Sequence, residues 1–261
     1  MMGFFGFSAI SRGALAVWRR NLDAFIRTYR VNFIPPFVEP VLYLLALGYG
    51  VGALIQDIDG IPYPVFIAPA LVSISVMFSA FYECTYSSYV RMYYQKTFDA
   101  MVATPLSIED VITGEILWGA TRGTIYAALM IPVLYLFGVI DMPTSLLLIP
   151  FAFPAGLLFA AIGLCFTAVT PSIDALNYPA FLFITPMFLF SGTFFPISIL
   201  PETVQYFAFL FLPLANTVNI NRAITMTEFS PLVIFNIIWV LLAAALVFSI
   251  ALKLMKRRLE D

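Results

Sequence analysis

"SGTFFPISILPETVQYFAFLFLP", residues 191–213, decides how this chain is folded. It is apolar enough to lie in a membrane and long enough to cross one, since about 20 helical residues span roughly 30 Å of hydrocarbon. Yet Pro196, Pro201 and Pro213 interrupt it, and Glu202 sits inside it. Each proline removes a backbone donor and disfavours helix in the residue before it. Whether the segment crosses, stays outside, or enters and turns back depends on how many crossings surround it.

The chain has 261 residues, 62% hydrophobic and 11% charged. Soluble domains carry about 45–50% apolar and about 25% charged residues. Several long runs without charge mark an integral membrane protein, and the strand alternation of an outer-membrane barrel is absent. The length suits one all-α membrane domain over residues 1–261. The N-terminal "MMGFFGFSAI" has an apolar stretch but no basic region before it and no clear cleavage site, so it does not read as a signal peptide. Histidine, the commonest general base and metal ligand, is missing. Cys84 and Cys165 fall in or beside apolar runs and read as buried small side chains, and no metal site is expected.

Residues 8–30 begin the fold. At 100° per residue, Arg12, Arg19, Arg20, Asp23, Arg27 and Arg30 share one arc, with Ile10, Ala14, Val17, Trp18, Leu22, Phe25 and Tyr29 opposite. That is an amphipathic helix lying in the membrane interface. Transmembrane helices are expected at 31–55, 62–82, 111–140, 144–169, 175–195 and 231–252, with a polar stretch over 83–110.

Basic residues set the orientation. Arginines precede the first span, Arg91 and Lys96 follow the second, and Lys253, Lys256, Arg257 and Arg258 follow the last, while the loops at 56–61 and 141–143 hold none. Both termini and the 83–110 stretch are therefore expected in the cytoplasm, which requires an even number of crossings. Six fits, and residues 191–229 must then begin and end outside. Irregular backbone at membrane depth is tolerated only where protein or a water-filled cavity surrounds it. The reading is a re-entrant helical hairpin at 196–222, between the fifth and sixth helices.

Ionisable residues at membrane depth are costly and mark function. Glu39 and Arg122 lie at matching depths, about 12–16 Å from the cytoplasmic face at 1.5 Å per residue, and are expected to pair. Glu83 and Glu115 are rival partners for Arg122. In the polar stretch, Ser107 and Asp110 form a capping box opening the third span, after the turn Thr104-Pro105-Leu106-Ser107. No P-loop exists, because none of Lys96, Lys253 and Lys256 follows a glycine. Nucleotide hydrolysis, if it drives this protein, belongs to another chain.

Three further stretches fix a resemblance: "FYECTYSSYVRMYYQKTFDAMVATPLSIEDVITGEILWGATR" at 81–122, "TAVTPSIDALNYPAFLFITPMFLFSGTFFPISILP" at 167–201 and "LPLANTVNINRAI" at 212–224. With "EPVLYLLALGYGVG" at 39–52 they resemble, in order, the permease subunits of type-2 ABC exporters, most closely the branch of the nodulation lipo-oligosaccharide and polysaccharide export permeases. The resemblance implies two permease subunits, the second identical to the first, in a bacterial inner membrane. It also implies two ATP-binding subunits that carry the ATP and Mg. The surface meeting the ATPase would include Arg19, Arg20, Lys96, Asp99, Thr104, Pro105, Leu106, Ser107 and Pro171. The short helices on the outer side would form a gate bearing Pro196, Pro201, Gln205, Pro213, Asn216 and Arg222. Relatives often carry histidine where Asn216 stands.

The expected activity is ATP-driven export of a lipid-linked oligosaccharide, polysaccharide or other amphipathic substrate along the dimer interface. Phe181, Phe183, Phe188 and Phe190 would suit an acyl chain, and tyrosines would stack on sugars. An exporter of drugs or small hydrophobic compounds has the same architecture. A membrane-embedded lipid enzyme needs convergent polar residues that the sequence does not present. A passive channel would transport without nucleotide. Membrane lipids are expected as further partners, and nucleic acid is not.

Overall fold

The computed structural model describes residues 11–28, 34, 38, 41–55 and 57–260. Helix α1 covers Gly13–Arg27. A short apolar helix, α2, covers Val41–Ala53. A two-stranded hairpin, β1 (Asp57–Ile58) and β2 (Ile61–Pro62), turns at Asp59 and Gly60, both at positive φ, as a tight hairpin requires. Then come α3 (Tyr63–Tyr94), the short α4 (Thr97–Val102), α5 (Ile108–Leu136) and α6 (Thr144–Val169). Helix α7 (Asp174–Phe190), α8 (Glu202–Phe211), α9 (Pro213–Met226) and α10 (Pro231–Glu260) complete the chain.

Helices α3, α5, α6 and α10 are long and apolar enough to cross a membrane. Helix α6 packs on α3, α5 and α10, α1 lies along α5, and α9 is wedged between α3 and α10. The most apolar stretch of α3 is 83% buried, while that of α10 is 28% buried. Helix α3 is thus the centre of the bundle, and α10 presents one broad face outward. Small residues bring the helices together: a Cβ on Gly119 would lie 2.7 Å from Cys84 Sγ, and one on Gly163 2.8 Å from the Phe81 carbonyl.

Several boundaries differ from those the sequence suggests, each for a local reason. The second helix does not end at Tyr82. It runs on to Tyr94 through two wide turns, Glu83–Ser87 and Val90–Tyr94. Wide turns free carbonyls, and Thr167 Oγ1 of α6 donates to that of Cys84 at 2.8 Å. The third helix spans Ile108–Leu136 rather than 111–140, starting at its Ser107 cap and stopping before Gly138 at φ +68°. The fifth stops at Phe190, not at 195, because Gly192 turns the chain at φ +72°. The last helix continues past 252 to Glu260, where the basic tail adds Lys256 pairs to Glu109 and Glu260.

In the opening stretch, Pro196 precedes a single turn at Ile197–Ile199, Pro201 precedes α8, and Pro213 is the first residue of α9. The prolines therefore stand at helix starts, where the missing donor costs nothing. The last of these helices runs to Met226, past the 222 expected. Of the first expected span, α2 and Val38 are helical among the described residues. Residues 1–10, with Ile10, lie outside them, as do Tyr29, Arg30 and most of 31–40, including Glu39.

Candidate functional site: a buried charge cluster and the two ends of the bundle

The site is assembled where α1 crosses the start of α5. Ala14, Val17, Asn21 and Phe25 form the docked stripe of α1, spaced at helical intervals. Gly114 permits the contact, since a Cβ there would meet Val17 Cβ at 2.5 Å. Of the apolar arc, Ala14, Val17 and Phe25 are buried and Trp18 and Leu22 half-buried, while Leu15 and Ile26, beside the arc, stay exposed.

Asn21, in the middle of that stripe, donates to Glu115 Oε1 at 2.8 Å, and Ser88 donates to Glu115 Oε2 at 2.6 Å. Arg91 bridges Glu115 Oε2 at 2.5 Å and Glu83 Oε1 at 2.8 Å. Glu83 also pairs with Arg122 and accepts from Trp118 Nε1 at 3.0 Å. Arg122 in turn reaches the Tyr126 hydroxyl at 3.3 Å. Glu115 is wholly buried and Glu83 3% exposed, so two carboxylates and two guanidiniums neutralise each other in a low-dielectric setting.

Arg122 thus binds Glu83, one of the two rival carboxylates, while Glu39 lies outside the described residues. Arg91, which from its place in the polar stretch reads as a loop charge, is the central bridge. At 100° per residue it would lie about 80° around the helix from Glu83. The wide turns rotate it back onto the same face.

Arg20 donates to Asn21 Oδ1 at 3.1 Å and, with Gln95, Arg91 and Arg122, lines a cleft of ≈ 460 Å³ beside α1. Glu83 lines it too and the buried Glu115 lies behind Arg91, so three guanidiniums face two carboxylates and one positive charge is in surplus. Tyr86 also lines the cleft and starts an aromatic series. Ring centroids are 5.8 Å apart for Tyr86–Tyr82, 5.8 Å for Tyr82–Phe78, 5.7 Å for Phe78–Phe188 and 4.9 Å for Phe188–Phe194. Phe78, Tyr82 and Tyr86 recur every fourth residue of α3, and between Phe66 and Thr85 the first two alone escape burial. The series leads from the cleft to the other end of the bundle.

The residues expected to meet an ATPase gather at the cleft end. Ser107 caps α5 by accepting from Asp110 N at 3.0 Å, and Asp110 reciprocates on Ser107 N, so the capping box is formed. Asp110 also accepts from Ser11 N and Oγ at 2.6 and 2.8 Å, tying the start of α1 to that of α5. Leu106 lies against Gly13. Lys96, at φ 52°, and Asp99 form an exposed pair at 3.8 Å. Thr104 and Pro105 are exposed at the tip of the turn, and Arg19 is exposed on α1. The Pro171 carbonyl accepts from Tyr89 at 3.0 Å.

The residues expected in a gate gather at the opposite end. Gln205 donates to the Leu200 carbonyl at 2.8 Å. Asn216 is fully buried and donates to the Phe209 carbonyl at 2.9 Å, fastening α8 to α9. Arg222 donates to the carbonyls of Gly192 at 3.0 Å and Phe66 at 3.4 Å, and stacks 3.9 Å above the Phe66 ring.

A membrane bundle with a docked amphipathic helix, a buried charge cluster and an aromatic stripe between its ends is an arrangement suited to a membrane transport protein. The family model for ABC-2 type transporters matches residues 13–226, and the chain belongs to that family. It is similar to nodulation protein J of Sinorhizobium fredii (strain NBRC 101917 / NGR234), 32% identical over 94% of this chain and 93% of that protein. Nodulation protein J of Rhizobium leguminosarum bv. viciae is 33% identical over 94% of each chain. The inner membrane transport permease YadH of Escherichia coli (strain K12) is 24% identical over 89% of this chain and 93% of that protein. The protein is the permease subunit of an ABC exporter and works with an ATPase partner.

Proposed function

We propose that this permease exports a lipid-linked oligosaccharide, or an amphipathic substrate of that kind, across the bacterial inner membrane. Two identical copies assemble with two ATP-binding subunits that hold ATP and Mg. Each copy is one membrane domain with six crossings and both termini in the cytoplasm. Helices α8 and α9 enter from the outer side and return as the gate. The observation that carries this reading is the cleft beside α1, with its single surplus positive charge and the aromatic stripe leaving it. A phosphate-bearing head suits the arginines and aromatic rings suit sugar and acyl parts. The names of the nodulation relatives are consistent with it.

In the mechanism that follows, ATPase closure pushes α4 and the 104–107 turn. Asp110, bonded to Ser107 and Ser11 together, passes the displacement to α1 and α5 at once. Helix α3 follows, because Arg91, Glu83, Glu115 and Arg122 hold it to α5. The cleft changes shape, and the substrate moves along the α3 stripe toward the gate.

The test is ATP-dependent uptake of a fluorescent lipid-linked saccharide into inverted vesicles holding the permease with its ATPase. Uptake that needs ATP and is lost on replacing Tyr82 and Phe78 by alanine is the expected result. Full transport after deletion of the ATPase would sink the reading. A drug-like dye transported in preference to the saccharide would assign the substrate to the rival exporter class.

A further inference from the structure

At the end remote from the cleft, a second cavity of ≈ 290 Å³ opens between the end of α9 and the start of α10, lined among others by Asn219, Arg222, Glu228, Phe229 and Ser230. Its size is at the small end of ligand sites, about 300 Å³. Arg222 is the feature that needs explaining. A guanidinium has five donors. Nη2 serves two carbonyls and Nη1 has no hydrogen bond to any described residue, while Nε is enclosed. No carboxylate lies within ion-pair distance of it among the described residues. A cation held at the edge of a bilayer without a counter-charge is costly, so an anion is missing from the picture.

Glu228 does not supply it. Its side chain is exposed, just past Thr227 at φ 56°, and it lines the same cavity without pairing to Arg222. The cavity therefore has a cation on its inner wall and an acid at its exposed rim. The first turn of α10 begins at Ser230, whose carbonyl accepts from Val233 N at 3.0 Å. The positive end of a 30-residue helix thus faces the cavity too. Met226 and Phe229 give an apolar wall beside these charges.

We propose that this cavity holds the headgroup of a phosphatidylethanolamine lipid. The phosphate sits on Arg222 and the ammonium reaches Glu228. The order of charges matches: in that headgroup the phosphate lies nearer the acyl chains and the ammonium nearer water. A phosphocholine head has no N–H to give Glu228, and a purely anionic head would be repelled by it. The lipid would brace the hinge where α9 joins α10, which rests on the reading of that hinge as part of the gate; the lipid binding itself does not.

The experiment measures lipid retained by the purified permease–ATPase complex in nanodiscs of equal phosphatidylethanolamine, phosphatidylcholine and phosphatidylglycerol, by native mass spectrometry. The wild type is expected to retain phosphatidylethanolamine over the other two. Arg222→Gln should lower retention about tenfold, the size of one charge-assisted hydrogen bond. Glu228→Gln, a change on an exposed side chain that threatens no fold, should keep phospholipid but lose the preference for ethanolamine. Unchanged retention in Arg222→Gln overturns the site. A preference that survives Glu228→Gln, or a wild type that favours phosphatidylglycerol, overturns the zwitterion assignment. No transport is measured, so failure here leaves the export reading standing, and failure of export leaves this one.

Discussion

At the cleft end, two carboxylates and two guanidiniums are withdrawn from water and share five or more hydrogen bonds with Asn21, Ser88, Trp118 and one another. At the far end, Arg222 is held by backbone carbonyls and a ring alone. Both regions place charge where the surroundings are apolar, but only in the first does each guanidinium of the cluster meet a carboxylate of the chain. A closed cluster fixes geometry and transmits displacement, because moving one member strands the others. An open one leaves a donor free for something outside the chain. The two ends therefore differ in what is left to pair: the cluster ties helices together beside the cleft, while Arg222 has no opposite charge among the described residues.

The hardest way to break the first region is Glu115→Leu. It leaves Arg91 and Arg122 sharing the single carboxylate of Glu83 and removes the acceptor of Asn21 and Ser88, and an uncompensated buried charge costs about 3–5 kcal/mol. We expect severe loss of folded protein, read as the melting temperature in detergent and the amount recovered from membranes. Replacing Arg91 by Leu in the same chain should recover part of the loss, because no unpaired charge remains. A single variant as stable as the wild type would show that the cluster is not sealed.

Next in size is Gly114→Val. Overfilling a close contact costs about 1–3 kcal/mol, and the atom displaced belongs to Val17 of α1. The bundle should stay folded while α1 lifts from α5, so the expected outcome is faster proteolysis of α1 and loss of substrate-stimulated ATPase activity. If α1 stays protected and coupling is intact, the docking of α1 is not what carries the signal.

These two residues also mark how far the sequence can be read. Charge-free runs, the proline pattern of 191–213 and the Ser107–Asp110 box are local signals, and they correspond to the helices, breaks and cap described above. Arg91 is different. Its inward turn depends on the wide turn at Glu83–Ser87, whose Cys84 carbonyl is served by Thr167, a residue far along the chain on another helix. No window around Arg91 contains that information. Asn21 was the one legible clue: a polar side chain in the middle of an apolar arc on α1 asks for a buried partner, and Glu115 is that partner. Arg122 offered Glu39 at matching depth and Glu83 and Glu115 nearer the cytoplasmic surface, and three-dimensional placement sets Glu83 against it.

Ser107→Ala tests the junction between coupling turn and bundle at lower energy. Losing a helix cap costs about 1 kcal/mol. Asp110 keeps its two bonds from Ser11, so the start of α5 should remain tied to α1. A small fall in melting temperature with near-normal transport is expected. A large fall would mean that the cap, rather than the Ser11 contact, holds this corner.

The smallest effect on stability should come from Arg222→Leu, although an arginine is being removed from an apolar setting as drastically as at the other end. The charge lost had no counter-charge in the chain, so its removal relieves desolvation while giving up two bonds to carbonyls. The two nearly offset, leaving a change within about 1 kcal/mol. The difference should emerge only when the missing anion is supplied. A ligand that binds the folded state raises stability in proportion to the logarithm of its concentration over its dissociation constant. The wild type should therefore melt higher in phosphatidylethanolamine nanodiscs than in phosphatidylcholine ones, and Arg222→Leu should melt at the same temperature in both. Equal melting of the wild type in the two lipids would make Arg222 a structural residue like those of the cleft, and the contrast between the ends would disappear.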